Sequence, residues 1–503
     1  MQHHPPKSKG SKSLGTWWPA IPVAALWIAA VSGESFWTDE ITVAWFVAHD
    51  SFGDFWHALA STGSEAQMPL FSIVFWGWAR LFGIGELALR CANLPWAILG
   101  ILAMGRLFSQ RRARSLALFL LASPLLCFQM NEARPYIMTF ALAAWSLAFL
   151  DRATDGELGR GERFGFVAAP VLCCATSMLN IFLLPALVVY GSMKLCTSEA
   201  GARRWVRAYR GPLLVLVVGL AVLAAYYAIT LRAGHGGQKF PYTWANLGFS
   251  LYEWLGFGGL GAPRNVLREI GPSASLPLYG PTLGLGAIAW ILVLVTWVRR
   301  GSAGIGNVAV GLLAGGGLLV LLAMVAPASL WGRHFIFLAP FALLILGTLL
   351  LQPPTRFGRV VLVLLVLTFV LSSLRQRFDA DYGKDPYREA IVELRERIEP
   401  AFREPIVWVA YPRAVLVYGG TCLPWDGPPA SGGAGDPPRI FPGDMRSAEE
   451  IERWVAEHPA FILVLHRPDI TDPSGAWEAL AGLPSTERLW ERGNMRIYHV
   501  GHR

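Results

Sequence analysis

Long apolar stretches separated by short polar segments dominate the first three quarters of the chain. Stretches of this length are typical of helices that cross a lipid bilayer, which need roughly 20 residues. We therefore predict an α-helical polytopic membrane protein with about eleven transmembrane helices. The predicted spans are residues 14–33, 89–108, 115–130, 136–150, 164–178, 181–195, 212–231, 282–298, 306–326, 335–351 and 360–374.

One further apolar segment, residues 69–83, is rich in aromatic residues but contains Arg80 and has only 15 residues. Counting it as a span would reverse the predicted side of every later loop. We interpret it as a helix that lies in the membrane interface, with its aromatic rings at the level of the headgroups. The alternative is a tilted span, paired with a second span that the pattern does not reveal.

The pattern changes after residue 374. Amphipathic segments alternate there with short apolar runs, which is typical of a soluble α/β domain. Helices are predicted at residues 386–399 and 447–457, and strands at residues 406–410, 461–465 and 495–500, the last at an edge of the sheet. The predicted domains are a transmembrane module, residues 1–374, whose first outer loop is residues 34–88, and a C-terminal α/β domain, residues 375–503.

Composition and charge sharpen this interpretation. Hydrophobic residues make up 54% of the chain and charged residues only 16%, against roughly 25% charged in soluble proteins, which excludes an ordinary soluble enzyme. Residues 375–503 hold 16 Lys and Arg against 20 Asp and Glu, so the net charge of +8 leaves +12 on the first 374 residues. This excess falls mainly in alternate loops, which predicts a cytoplasmic N-terminus and an outer C-terminal domain. The basic residues form no nucleic-acid patch, so no nucleic-acid partner is expected.

The first candidate for chemistry is an acidic pair, Asp39 and Glu40, directly after the first predicted span. A carboxylate at the membrane–water boundary can act as a base or bind a metal beside a substrate carried by a lipid. A solvated pair, or a cap for the next helix, is the alternative. The same loop holds His49, Asp50, Asp54 and His57 at helical spacing. These are weak metal candidates, and a solvated helix face is the alternative.

Two basic clusters fall on the same predicted side of the membrane. Arg134 lies between two apolar runs in residues 131–136, and Arg333 and His334 lie in residues 331–335. A guanidinium binds phosphate oxygens through two parallel hydrogen bonds, so both arginines are candidate phosphate ligands. The alternatives are a surface ion pair of Arg134 with Glu132, an interface anchor at Arg333 and a structural histidine at His334.

Several of these segments resemble the membrane glycosyltransferases of the GT-C fold. The nearest branch is the bacterial group related to protein O-mannosyltransferases and lipid A aminoarabinose transferases. The resemblance covers residues 30–150 and 330–350 and the start of the outer domain, residues 385–399. It is carried by the Asp-Glu pair after the first span, the Pro-Leu-Phe of the aromatic segment, and the motifs at Gly83–Arg90, Glu132–Tyr136 and Gly332–Pro340.

The resemblance implies a polyprenyl-phosphate sugar as donor and transfer on the outer face of the cytoplasmic membrane. Asp39 matches the catalytic acidic position of the first loop, and Arg134 and Arg333 match positions near the donor phosphate. Members of the family often have His or Lys followed by Pro-Pro-Leu where this chain has Gln67–Leu70. A basic residue is therefore missing, and Gln67 would hydrogen-bond to the phosphate in its place, unless the donor sits differently.

The predicted reaction is an in-line displacement at the anomeric carbon, in which Asp39 accepts the proton of an acceptor hydroxyl. Arg134, Arg333 and His334 would stabilise the leaving lipid phosphate. Glu40 would orient Asp39 or bind a divalent metal, which is the candidate cofactor; its weak candidate ligands are Asp39, Glu40 and His57. The acceptor is a glycan, a lipid or a protein. The alternatives are a transporter or flippase, which would carry polar residues in mid-span, and a non-catalytic membrane scaffold.

Overall fold

The structure is a computed structural model. It describes residues 17–61, 63–108, 116–156, 158–197, 202–233, 242–263, 266–267, 270–301, 305–325, 330–351, 355–398, 401, 404–419, 440–443 and 446–501. The start of the first predicted span, residues 14–16, lies outside the described residues, as do residue 115, residue 326 and residue 399.

Among the described residues, seven helices are long and apolar enough to cross a membrane. Each of them contains one of the predicted spans, because uninterrupted apolar runs of this length can satisfy their backbone groups in lipid only as helices. The seven are Glu86–Phe108, Met178–Cys196, Ala202–Arg232, Gly271–Arg300, Gly306–Val325, Gly332–Leu351 and Arg356–Phe378.

The four other predicted spans correspond to shorter, broken or less apolar helices. The first is Ala20–Ala30, and the third is divided into Leu116–Ala122 and Pro124–Met130 at a proline that begins the second piece. The remaining two are Tyr136–Thr154 and Arg160–Thr176. The polytopic helical architecture is confirmed, while the count of eleven spans stays a prediction.

The first outer loop is itself helical. Its elements are Thr38–Val47, Phe52–Ser61, the 3₁₀ turn Gly63–Gln67 and Pro69–Phe82. The helix predicted over residues 69–83 is confirmed, and its 14 residues extend about 21 Å at 1.5 Å per residue. This is shorter than the roughly 30 Å hydrocarbon core, so an interfacial position remains the prediction.

The C-terminal region contains a five-stranded sheet. Its strands are β1 (Ile406–Val409), β2 (Ile440–Pro442), β3 (Ala460–His466), β4 (Thr486–Arg492) and β5 (Met495–Gly501), in the spatial order β2-β1-β3-β5-β4. Strand β1 is parallel to β2 and β3, whereas β5 is antiparallel to β3 and β4. The predicted strands β1, β3 and β5 are confirmed, but the prediction that β5 lies at an edge is wrong. Strand β4, whose largely polar sequence hides it from hydrophobic patterning, pairs with the free side of β5.

Further helices lie between and after the long apolar helices. They are Trp244–Trp254, Phe257–Gly259, Ala380–Tyr382, Tyr387–Glu393 with its π-helical continuation Leu394–Ile398, Arg413–Gly419, Ala448–Glu457, Pro468–Thr471 and Ala476–Ala481. Two of them correspond to the predicted helices at residues 386–399 and 447–457. The second has the predicted N-terminus, where the Ser447 hydroxyl accepts a hydrogen bond from the backbone N–H of Glu450 as a helix cap.

The sheet packs directly on the helical module. One face, which includes Trp408 and Val464, belongs to the same buried apolar cluster as the transmembrane helices. The other face, which includes Phe461 and Leu463, packs against Trp477. Because successive side chains of a strand point to opposite faces, the strand β3, which is apolar except for His466, packs in both layers. The carboxyl end of β3 is linked to the first outer loop through Tyr387, whose hydroxyl lies 2.8 Å from His466 Nδ1 and 3.4 Å from Thr38 Oγ1.

Candidate active site

The base of the site is a buried ionic cluster around Glu40, Arg90 and Lys384. Glu40 lies in the first turn of the helix Thr38–Val47, and its side chain is 0% exposed. Both Glu40 oxygens accept hydrogen bonds from Arg90, at 2.9 Å from Nε and 2.8 Å from Nη2. Lys384 Nζ donates to Glu40 Oε2 at 2.7 Å and also to the backbone carbonyl of Asn131.

These contacts favour a structural role for Glu40 over the predicted catalytic or metal-binding one. Burial by itself would raise the pKa of Glu40, but the charges of Lys384 and Arg90 lower it to about 2. The backbone N–H of Ala133 donates a further hydrogen bond to Oε1, at 2.8 Å. Since both oxygens are already bound, neither a proton nor a metal ion can be accepted without breaking the cluster.

Asp39 points into a different environment from its neighbour. Its Oδ2 is 2.9 Å from Nη2 of Arg333, and its side chain is 34% exposed. The Arg333 guanidinium lies over the ring of Trp37, 4.7 Å from the centroid, a cation–π contact that helps to fix its position. The structure therefore brings together the acidic pair of the first loop and the cluster at residues 331–335, which are almost 300 residues apart.

Arg134 reaches the same place from the basic cluster at residues 131–136. It does not pair with Glu132, as the surface-pair alternative would require, but with Glu65, whose two oxygens lie 3.1 and 3.0 Å from Nη1 of Arg134. The same nitrogen lies 3.4 Å from the backbone carbonyl of Asp39. Arg134 therefore contacts the backbone of Asp39, while its buried Nε has no hydrogen-bond partner among the described residues. The phosphate contact of Arg134 stays a prediction.

The two other predicted phosphate ligands lie nearby. His334 accepts a hydrogen bond through Nδ1 from the backbone N–H of Trp331, at 3.0 Å, which closes the first turn of Gly332–Leu338. Gln67 is half-buried at the end of the turn that also carries Glu65. The phosphate contacts of His334 and Gln67 stay predictions.

The candidate metal ligands lie in different surroundings, and a divalent metal stays a prediction. His57 is exposed on the helix Phe52–Ser61. Glu40 and Asp39 instead form ion pairs with basic side chains. Asp50 pairs with Arg80 at 2.6 Å. Within the described ranges, no group of three or more His, Cys, Asp and Glu side chains is placed to hold a metal ion.

A cavity of about 160 Å³ opens beside the ionic cluster. Trp37, Glu132 and Arg333 of the membrane module border it on one side, and Lys384 and Arg467 of the C-terminal region border it on the other. Arg467 follows the carboxyl end of β3 in a left-handed conformation, with φ of 51°, which turns the chain toward the cavity. The carboxyl ends of parallel strands are common ligand sites in α/β sheets.

The fold of the whole chain is similar to that of a solved transferase. The structure of ArnT from Cupriavidus metallidurans in the apo state matches with a TM-score of 0.57 and 13% identity, covering 97% of this chain and 98% of that chain. The structure of the same protein bound to undecaprenyl phosphate matches with a TM-score of 0.54 and 14% identity, covering 96% and 97%. ArnT, a lipid A aminoarabinose transferase, has the GT-C fold. The present chain has the GT-C fold as well. No protein-family model and no curated protein matches the sequence.

Three residues of this GT-C site were not among the residues singled out from the sequence. Arg90 is part of the recognised Gly83–Arg90 motif, so its motif membership was the available signal. Lys384 lies six residues after the last of the long apolar helices, Arg356–Phe378. Glu65 is one of six acidic residues in the segment 34–67, which contains no Lys or Arg. Nothing in their local sequence identifies their partners, which are 50 or more residues away.

Proposed function

We propose that the protein is an integral membrane glycosyltransferase that transfers a sugar from a polyprenyl-phosphate donor to an acceptor hydroxyl. The observation that carries the proposal is the contact between Asp39 and Arg333 beside the cavity. It joins a partly exposed carboxylate, which can accept a proton, to a guanidinium, which can stabilise a phosphate. The GT-C fold, and the binding of undecaprenyl phosphate by ArnT, support a polyprenyl phosphate as the leaving group.

In the proposed reaction, the acceptor oxygen attacks the anomeric carbon and Asp39 takes the hydroxyl proton. The bond between that carbon and the phosphate oxygen breaks, and its electron pair leaves with the lipid phosphate. Arg333 donates to Asp39 through Nη2, while its buried Nε–H has no hydrogen-bond partner among the described residues. The Nε–H can therefore donate to the phosphate as negative charge develops there.

The proposed reaction takes place on the outer face of the cytoplasmic membrane. The alternation of basic loops supports a cytoplasmic N-terminus and an outer C-terminal domain. Glu40, Arg90 and Lys384 hold the first loop and the C-terminal domain together around the reacting groups.

The test is sugar transfer by purified protein in lipid nanodiscs, with a panel of undecaprenyl-phosphate sugars and a membrane extract as the source of acceptors. Asp39→Asn should lower turnover by ~10²–10⁴-fold, the usual cost of losing a positioned base, and should retain donor binding. Asp54→Asn is the matched control. It changes an exposed acid of the same loop, whose Oδ2 accepts a hydrogen bond from the nearby Ser51 hydroxyl. Wild-type turnover in Asp39→Asn would refute the catalytic assignment.

A further inference from the structure

Buried polar atoms without partners are concentrated around the cavity. Within the part of the chain that the structure describes, six such side-chain atoms belong to five residues that border it. They are Nε1 of Trp37, Oε1 of Gln129, both oxygens of Glu132, Nε of Arg333 and Oε1 of Gln376. An unmet buried donor or acceptor costs roughly 1–3 kcal/mol, and folded proteins leave few of them. Such a concentration at one cavity indicates a site built for a polar ligand.

Among these five residues, Glu132 has the most unpaired polar atoms. Its side chain is fully buried, and neither carboxylate oxygen has a hydrogen-bond partner among the described residues. Its position is fixed, because its backbone carbonyl accepts a hydrogen bond of 2.6 Å from Nδ2 of Asn93. The charged groups that face it are Lys384 and Arg333, which favour its ionised form, and Glu40 and Asp39, which oppose it.

Burial outweighs the two cations and raises the pKa of Glu132 to about 7. A buried carboxylate that is ionised without hydrogen-bond partners lowers the stability of the fold. Acids whose pKa is shifted strongly by burial are concentrated at functional sites. Glu132 contrasts with Glu40, whose oxygens are fully bound in the same cluster. The difference indicates that Glu132 has its hydrogen-bonding capacity reserved for a ligand.

We propose that the cavity binds the sugar ring of the donor, and that Glu132 accepts hydrogen bonds from the hydroxyl groups of that ring. This inference rests on the proposed function. Sugar hydroxyls donate and accept, which suits the acceptors on Glu132, Gln129 and Gln376 and the donor on Trp37. The ligand class is a hydroxyl-rich sugar without an acidic group, because the carboxylate of an acidic sugar would meet Glu132 as a like charge.

The size and lining of the cavity fit this ligand. A volume of about 160 Å³ is far more than the roughly 10–15 Å³ that one water needs. Phe128, Phe249 and Tyr252 also border the cavity and offer apolar surface to the C–H faces of a ring. Because the side chain of Glu132 is fully buried although it borders the cavity, a neighbouring side chain must shift for its oxygens to reach the sugar. Arg333 stands between the cavity and Asp39, so a ring bound there would have its phosphate near the proposed base.

The test compares the binding of bare undecaprenyl phosphate with that of undecaprenyl phosphate carrying glucose, mannose, galactose or glucuronate. Wild type, Glu132→Gln and the control Glu487→Gln, an exposed acid on β4, are measured in the same nanodiscs. Wild type should bind at least one neutral-sugar donor more tightly than bare lipid phosphate. Glu132→Gln should weaken that binding about 10- to 100-fold, as expected for a hydrogen bond to a charged group, and leave bare lipid phosphate unaffected.

The possible results separate this inference from the proposed function. If wild type prefers a neutral-sugar donor and Glu132→Gln keeps the full preference, the assignment of Glu132 is wrong and the glycosyltransferase proposal stands. If wild type binds glucuronate best, the predicted sugar class is wrong. If wild type binds no sugar-bearing donor better than bare lipid phosphate, both proposals fail. Melting temperatures measured on the same samples show whether Glu132→Gln is folded, and a lower melting temperature would indicate a structural role instead.

Discussion

Replacing Glu132 by Gln is expected to stabilise the protein at neutral and alkaline pH. The substitution keeps the shape of the side chain and removes a charge that is fully buried without hydrogen-bond partners among the described residues. The pKa of Glu132 rises from 4.5 to about 7 on folding. At about 1.4 kcal/mol per pH unit, this rise corresponds to about 3 kcal/mol of lost stability once the carboxyl is ionised in both states.

The direction of the pH dependence follows from the raised pKa. The folded protein holds the Glu132 proton more tightly than the unfolded chain does, so this proton stabilises the fold below pH 4.5 and the benefit is lost as the pH rises through 7. Wild type and Glu132→Gln should therefore differ little near pH 4.5. Their difference should grow to several degrees in melting temperature by pH 8, with the variant the more stable.

The assay is thermal unfolding in detergent between pH 4.5 and pH 8, followed by intrinsic tryptophan fluorescence. Glu487→Gln serves as the control, because its side chain is exposed in both states and should show no such trend. A constant difference between wild type and Glu132→Gln at all pH values would refute the idea that burial of Glu132 costs stability. A variant that is less stable at pH 8 would show that Glu132 is bound within the protein.

Two further predictions concern the groups around Asp39. Glu40→Gln should destabilise the protein by about 3–5 kcal/mol, because it leaves the buried Arg90 without its charge partner, and a melting temperature equal to that of Asp39→Asn would contradict this. Arg333→Ala should strongly weaken the binding of undecaprenyl phosphate. Arg333→Lys should restore only part of it, since lysine lacks the planar guanidinium that donates two parallel hydrogen bonds. Unchanged donor binding in Arg333→Ala would show that Arg333 is only an interface anchor.

Much of the architecture can be predicted from local sequence. The long helices follow from apolar runs, and the strand Phe461–Leu465 within β3 follows from a short apolar run between polar segments. The aromatic segment at residues 69–83 forms its predicted helix. These features depend on interactions within a few turns or on transfer from water to lipid, and both depend on residue type and spacing alone. Strand β4 was missed because its pattern is polar and its place is set by pairing with β5.

The sequence predicts that the acidic pair and the two arginines, Arg134 and Arg333, lie on the same side of the membrane. Which acid pairs with which arginine is decided by the tertiary structure. Adjacent acids with the same local sequence context, Asp39 and Glu40, meet opposite environments. Asp39 is partly exposed beside Arg333, whereas Glu40 is fully buried in ion pairs with Arg90 and Lys384.

The sequence by itself determined the membrane architecture and the residue types of the site, because hydropathy and charge act locally. Only the tertiary structure decided which acid is paired and which is left unpaired. Arg134 pairs with Glu65 instead of the nearby Glu132, so Glu132 is left buried without a partner among the described residues. The strength of an ion pair depends on burial and on the positions of every neighbouring charge. Both are properties of packed elements that lie far apart along the chain.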